Sequence, residues 1–82
     1  MLTGNEFSRF LLNEIQYLQP YKIVHKIKMP LRRSRCKFSI KGTTQINLVG
    51  SHYHRHNMDD LIVAAHEVGH AVVYGLDHDH FN

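Results

Sequence analysis

The segment from Leu61 to Val73 most narrows the folds open to this chain, because it is apolar on more than one face of a helix. A helix of this kind is stable only when other elements cover it. Asn57 precedes it as an N-cap residue, with Asp60 at the third helical position. The sequence therefore predicts a buried central helix that begins after Asn57 and ends near Gly75.

Length and cysteine content limit what can cover that helix. A chain of 82 residues buries only about 60% of its unfolded surface, which suits one small domain rather than two. The single cysteine, Cys36, cannot form an intrachain disulfide. We therefore expect residues 1–82 to form one domain without a covalent cross-link.

An amphipathic helix is predicted near the N-terminus. Thr3 as N-cap and Glu6 three residues later form a capping box, in which each side chain accepts a hydrogen bond from the other residue's backbone. Proline cannot continue a helix, so Pro20 is expected to stop it. The apolar stripe of this helix is formed by Phe7, Phe10, Leu11, Ile15 and Leu18.

Alternation of apolar and polar residues predicts short strands between the two helices. The first strand lies around Ile23 and ends before Met29. Residues 36–41 and 44–49 alternate in the same way on either side of Gly42, which predicts a β-hairpin. These elements indicate an α+β fold, in which an N-terminal helix and a small sheet support the central helix.

The central helix carries the pattern His66-Glu67-Val68-Gly69-His70, an H-E-x-x-H motif. Histidines four residues apart share a helical face, so two neutral imidazoles can bind one Zn²⁺. Glu67 can then act as general base on a zinc-bound water, while zinc polarises the scissile carbonyl. The motif favours zinc-dependent peptide hydrolysis. In the alternative interpretation, His66 and His70 are structural helix residues and Glu67 is solvated.

Residues 63–71, Val-Ala-Ala-His-Glu-Val-Gly-His-Ala, resemble the active-site helix of the bacterial neutral zinc metallopeptidases, which are membrane-associated. The chain is also similar to this family in the Thr3-Gly4 helix start, in Ile46 and Leu48 of a strand, and in a loop tyrosine near Tyr53. The resemblance implies the N-terminal half of a zincin-like hydrolase, with Zn²⁺ as cofactor, the two motif histidines as ligands and the motif glutamate as base.

A catalytic zinc site needs a third protein ligand. The resemblance implies an acidic residue on a later helix, so this chain would be truncated after the H-E-x-x-H helix. Within the chain, His78 is the candidate third ligand. It requires a sharp turn at Gly75, because a straight helix would place even Asp77 about 10 Å along its axis from His70. Asp77 and His80 are weaker candidates for the same position. The alternative function is a degenerate zincin fragment that binds metal weakly and hydrolyses nothing.

Other histidines and the cysteine have simpler interpretations. Residues 50–56 show neither helical nor strand periodicity and predict a loop, whose histidines at positions 52, 54 and 56 are expected to be exposed near the mouth of the zinc cleft. His25 is expected to be half-buried in the first strand. Cys36 is expected to be a small core side chain.

Residues 22–41 contain eight of the ten Lys and Arg residues and no acidic residue. Such a stretch could bind nucleic acid or a membrane surface. No nucleic-acid-binding signature accompanies the charge, so we expect a solvated face, and a peptide or protein substrate paired along a sheet edge rather than a nucleic acid. The longest apolar run, Leu61–Ala65, is too short to span a membrane. With no signal peptide, a cytoplasmic location is favoured.

Overall fold

A computed structural model describes residues 1–15, 20–26, 33–38 and 43–76. In chain order, its elements are helix α1 (Gly4–Glu14), strands β1 (Tyr21–Lys26), β2 (Arg35–Phe38) and β3 (Thr44–Val49), and helices α2 (Gly50–His54) and α3 (Met58–Leu76). The fold is α+β, as the sequence predicts.

The strands form one mixed sheet in the order β1-β3-β2. The outer strand β1 runs parallel to β3, with Ile23 opposite Ile46, and β2 runs antiparallel to β3, with Cys36 opposite Ile46. The antiparallel pair confirms the predicted hairpin strands, whereas the turn at Gly42 lies outside the described residues. Because β2 is an edge strand, no described strand covers its outer backbone edge.

The apolar core lies where α1 and α3 pack on the sheet. At its centre, Ile46 and Leu48 of β3 are fully buried. Leu12 of α1 and Val68 and Ala71 of α3 belong to the same cluster. The sheet and α1 therefore hold α3 in place through direct apolar contact, which is favourable because it removes apolar surface from water.

Helix α1 begins as predicted and ends earlier. The Thr3 hydroxyl accepts from the Glu6 N–H at 3.1 Å, and the Glu6 carboxylate accepts from the Thr3 N–H at 2.8 Å. The helix ends at Glu14, so the expectation that Pro20 stops it is wrong. The chain leaves the helix at Ile15, whose N–H bonds to the Leu12 carbonyl in a tighter last turn.

The predicted apolar stripe of α1 is confirmed in part. Leu11 and Ile15 pack against the core, Phe10 is 53% exposed, and Leu18 lies outside the described residues. Gly4, Ser8 and Leu12 are the fully buried residues of the helix. The residues with the smallest side chains lie inward because α1 packs closely on its neighbours. A Cβ at Gly4 would overlap the backbone carbonyl of His52 in α2. Close approach of two backbones at Gly4 and apolar contact at Leu12 therefore orient this helix together.

Residues 50–54 form the short helix α2, which corrects the predicted loop. Five residues are too few to show a helical period, and a helix this short depends on tertiary packing. Asn57 caps α3 as predicted, since its side-chain oxygen accepts from the Asp59 N–H at 2.8 Å. Helix α3 extends to Leu76, one residue beyond the predicted end near Gly75.

The prediction of a buried central helix holds for one face of α3 and not for its whole apolar surface. Ala64, Val68 and Ala71 are buried, and Val68 and Ala71 belong to the core cluster formed with the sheet and α1. Ile62 and Val73 are 60% and 43% exposed. Among the described residues, no helix is long and apolar enough to cross a membrane.

The close contact at Gly4 predicts the outcome of a matched pair of substitutions. Gly4→Ala should destabilise the protein by about 1–3 kcal/mol, because the added methyl group meets a backbone carbonyl that cannot rotate away. Gly69→Ala adds the same methyl group to α3, where no atom lies within 4 Å. It should stabilise by about 0.5–1 kcal/mol through helix propensity. Urea unfolding measures both, and a Gly4→Ala variant as stable as wild type would contradict the packing described.

Candidate functional site

A cleft of about 600 Å³ lies between α3 and β2. His66, Glu67 and His70 line it from α3, and residues 33–37 line it from the β2 side. His52 of α2 contributes to the same lining. The packing of α3 on the sheet thus brings the H-E-x-x-H motif next to the basic stretch of the chain.

The two motif histidines meet at the cleft. Their Nε2 atoms lie 3.0 Å apart, and their rings stand edge to face with centroids 4.6 Å apart. His66 is exposed and His70 is half-buried. The prediction that both imidazoles project from one helical face is confirmed.

This pair fits two positions of a zinc site. Two nitrogens bound tetrahedrally to one Zn²⁺ at about 2.0–2.1 Å lie about 3.3 Å apart, and the observed separation of 3.0 Å differs from that by a few tenths of an ångström. Within the described residues, no three His, Cys, Asp or Glu side chains gather closely enough to hold a metal. His78 lies outside them, and the backbone is helical at Gly75, where the prediction needed a sharp turn.

Glu67 lies inside the cleft rather than in solvent. It is 6% exposed, because it is on the face of α3 that packs on the sheet. Burial raises the pKa of its carboxyl above the ordinary value, and electrostatic interactions with His70, His66, Arg33 and His52 partly offset this shift. The alternative in which Glu67 is merely solvated does not hold.

His52 is held by a polar network that the sequence does not reveal. Its Nδ1 lies 2.8 Å from the Ser34 hydroxyl, which also accepts from the Val49 N–H at 3.1 Å. Its Nε2 lies 3.8 Å from the Asp60 carboxylate, which accepts two hydrogen bonds from Arg55 at 2.8 and 3.2 Å. The expectation of an exposed His52 is wrong, because contacts between distant parts of the chain bury it partly.

The remaining predicted side chains behave more simply. His25 is half-buried, with its ring stacked on Tyr53 at 4.6 Å and edge-on to His54 at 4.4 Å. Cys36 is a buried core residue, as predicted. Burial, with a smaller contribution from the charge of Glu67, raises the pKa of its thiol to about 12. A thiol with that pKa is protonated at neutral pH and is a poor nucleophile.

Three basic side chains of the middle stretch, Arg33, Arg35 and Lys37, are exposed and line the cleft. Among the residues that the structure describes, none of the three forms an ion pair. The sequence predicts a solvated basic face, and the exposure of these three side chains agrees with that prediction. The structure adds that these three residues line the same cleft as the H-E-x-x-H motif.

Comparisons of the chain with protein-family models, with curated proteins and with solved structures found no match. The likeness to the neutral zinc metallopeptidases therefore depends on the sequence motif. Any function assigned to the cleft has to be argued from its residues and their geometry.

The Arg55–Asp60 pair predicts a pH-dependent contribution to stability. The hydrogen bond from Arg55 lowers the pKa of the Asp60 carboxyl below its ordinary value of 3.8. The ionised carboxylate therefore stabilises the fold above about pH 4, and this stabilisation is lost as the pH falls through the lowered pKa. Asp60→Asn should be less stable than wild type at pH 7, with a smaller difference in acid.

Urea unfolding at neutral and at acid pH measures this difference. Asp59→Asn is the matched control, because Asp59 is an exposed neighbour that forms no ion pair within the described residues. It should change stability only slightly at either pH. An Asp60→Asn deficit of the same size at both pH values would show that the ionised pair is not its cause.

Proposed function

We propose that this protein is a zinc-dependent metallopeptidase of zincin-like type, with His66 and His70 as zinc ligands and Glu67 as general base. The observation that carries the proposal is the meeting of two imidazoles, with Nε2 atoms 3.0 Å apart, beside a buried carboxylate in one cleft. Both histidines and the glutamate of the motif line one cleft, as hydrolysis by this motif requires. Mutual geometry of this kind is the structural criterion for a working site.

In this proposal, His66 and His70 would hold the zinc ion, and Glu67 would transfer a proton during hydrolysis. Zinc, when bound, supplies a Lewis acid that polarises a carbonyl and lowers the pKa of water. Glu67 accepts a proton from the attacking water as the water oxygen bonds to the carbonyl carbon. It then passes that proton to the amine nitrogen as the C–N bond breaks. One water is consumed, and one carboxylic acid and one amine are released.

The edge strand β2 provides the means to hold a peptide in this cleft. Its outer backbone edge is uncovered by any described strand, and its residues line the cleft opposite α3. An extended peptide can add to such an edge through main-chain hydrogen bonds, which orient its carbonyls without regard to sequence. The proposed substrate is therefore an extended peptide or an unfolded segment of a protein.

A second candidate is a zincin-like fragment that binds zinc weakly and does not hydrolyse peptides. It is favoured by the finding that the described residues bring two metal ligands together and not three. Two imidazoles hold zinc less firmly than a three-ligand site. Zinc affinity and activity therefore separate the two candidates.

Zinc titration tests the ligand assignment. His66→Ala and His70→Ala should each weaken zinc binding by at least the roughly 10–100-fold that loss of an outer-shell partner causes. His54→Ala is the matched control, because His54 is exposed and does not line the cleft. His78→Ala should match the ligand variants if it is the third ligand. Unchanged affinity in His66→Ala would rule out the site.

Hydrolysis of a quenched fluorescent peptide library tests the general base. Glu67→Gln should lower kcat by roughly 10²–10⁴-fold, while zinc affinity stays near that of wild type. Glu14→Gln, an exposed change on α1, is the control. Equal rates for wild type and Glu67→Gln would overturn the mechanism. If wild type binds zinc and cleaves no peptide, that result would support the second candidate, a zincin-like fragment without activity.

A further inference from the structure

The two faces of β2 differ in charge. Burial alternates along the strand, with Arg35 and Lys37 exposed and Cys36 buried in the core cluster. Alternate residues of a strand point to opposite faces of the sheet. Arg35 and Lys37 therefore share the face that turns away from the core, at the edge where a peptide would pair.

In a peptide added to this edge, alternate side chains would lie beside Arg35 and Lys37. Cross-strand neighbours lie about 4.5–5.5 Å apart between Cβ atoms, and opposite charges in such pairs attract. Every second side chain of the added strand falls on the face shared by Arg35 and Lys37. Two substrate side chains that are two residues apart can therefore lie beside Arg35 and Lys37, which have the same spacing on β2.

The described lining of the cleft carries an excess of positive charge, which favours an acidic ligand. Its described lining includes the basic residues Arg33, Arg35 and Lys37, none of which forms an ion pair within the described part of the chain. Glu67 is the acidic residue in this lining, and it is buried. The exposed rim therefore offers positive charge that no described carboxylate neutralises.

We propose that the cleft selects extended peptides with acidic side chains two residues apart, held at the β2 edge by Arg35 and Lys37, with Arg33 adding positive charge. The inference rests on the proposed peptidase function and names its substrate class. Arginine's planar fork binds a carboxylate through two hydrogen bonds, so Arg35 is the stronger selector of the two strand residues.

A peptide fits this surface better than a nucleic acid does. The described lining contains no Phe, Tyr or Trp, and two of its three histidine rings, those of His66 and His70, are assigned to zinc in the proposed function. The cations instead follow a strand whose outer backbone edge no described strand covers, and such an edge pairs with another extended chain in register. Backbone pairing and charge spacing therefore point to the same occupant.

Three fluorogenic peptides of equal length test the inference, with Asp, Asn or Lys at two alternate positions beside the cleavable bond. Zinc-loaded wild type should give the highest kcat/KM with the Asp peptide and the lowest with the Lys peptide. Arg35→Glu and Lys37→Glu should each lower kcat/KM for the Asp peptide on the order of five- to tenfold and raise it for the Lys peptide. Added salt should reduce the preference, because the cations are exposed.

Lys22→Glu is the charge-matched control, since Lys22 is exposed on β1 at the opposite edge of the sheet. It should leave the order of the three peptides unchanged. Equal kcat/KM for all three peptides in wild type would overturn the inference and leave the peptidase proposal intact. An equal effect of Lys22→Glu would overturn it too, because net charge alone would then explain the preference.

Binding to the Glu67→Gln variant, measured by fluorescence anisotropy of the same peptides, separates recognition from hydrolysis. Tighter binding of the Asp peptide that depends on Arg35 supports the inference. If wild type then cleaves none of the peptides, the peptidase proposal alone fails. Tighter Arg35-dependent binding of a labelled single-stranded oligonucleotide than of the Asp peptide would overturn the inference.

Discussion

The packing of one face of α3 against the sheet determines the rest of the site. Ala64, Val68 and Ala71 recur at intervals of four and three residues and are all buried, which fixes the rotation of the helix about its axis. Glu67 falls within the same stripe and is buried with them, whereas His66, one step of about 100° away, is exposed at the rim. The burial of the carboxylate is therefore a consequence of how the core packs. A buried carboxyl is unfavourable in its charged form, and the neighbouring imidazoles and Arg33 offset this only in part.

The opposite side of the cleft depends on contacts between distant parts of the chain. Gly4 lets the start of α1 approach the backbone of His52, so α2 is held from one side by a helix near the N-terminus. From the other side, Ser34 binds the His52 ring. The Arg55–Asp60 pair joins the end of α2 to the first turn of α3. His52 thus occupies its place through Gly4 and Ser34, which are remote from it in sequence, and through the Arg55–Asp60 pair, whose residues are five positions apart.

This difference between local and distant contacts explains what the sequence could reveal. The Thr3–Glu6 capping box, the Asn57 cap and the meeting of His66 and His70 each involve residues at most four positions apart, and the sequence predicts all of them. The parallel pairing of β1 with β3 and the position of His52 are decided by packing between remote segments. The burial of Gly4 and Ser8 in place of Phe10 has the same origin, because an apolar stripe assumes that α1 packs on a core of average spacing. The zincin-like assignment and the third ligand remain predictions.

The cleft combines two kinds of charge whose energetic effects differ. Exposed cations such as Arg35 and Lys37 contribute little to folding, because water and salt screen them. The chain can therefore carry them at a recognition edge without a large effect on its stability. Glu67 is in the opposite situation, since any change to it alters a buried position in the stripe that holds α3 on the sheet. In the proposed function, substrate preference would accordingly change through β2 while the fold stays intact, whereas the chemistry of the motif would be tied to the core. The physical reason is that the proposed recognition uses the solvated edge of the sheet and the proposed reaction uses its covered face.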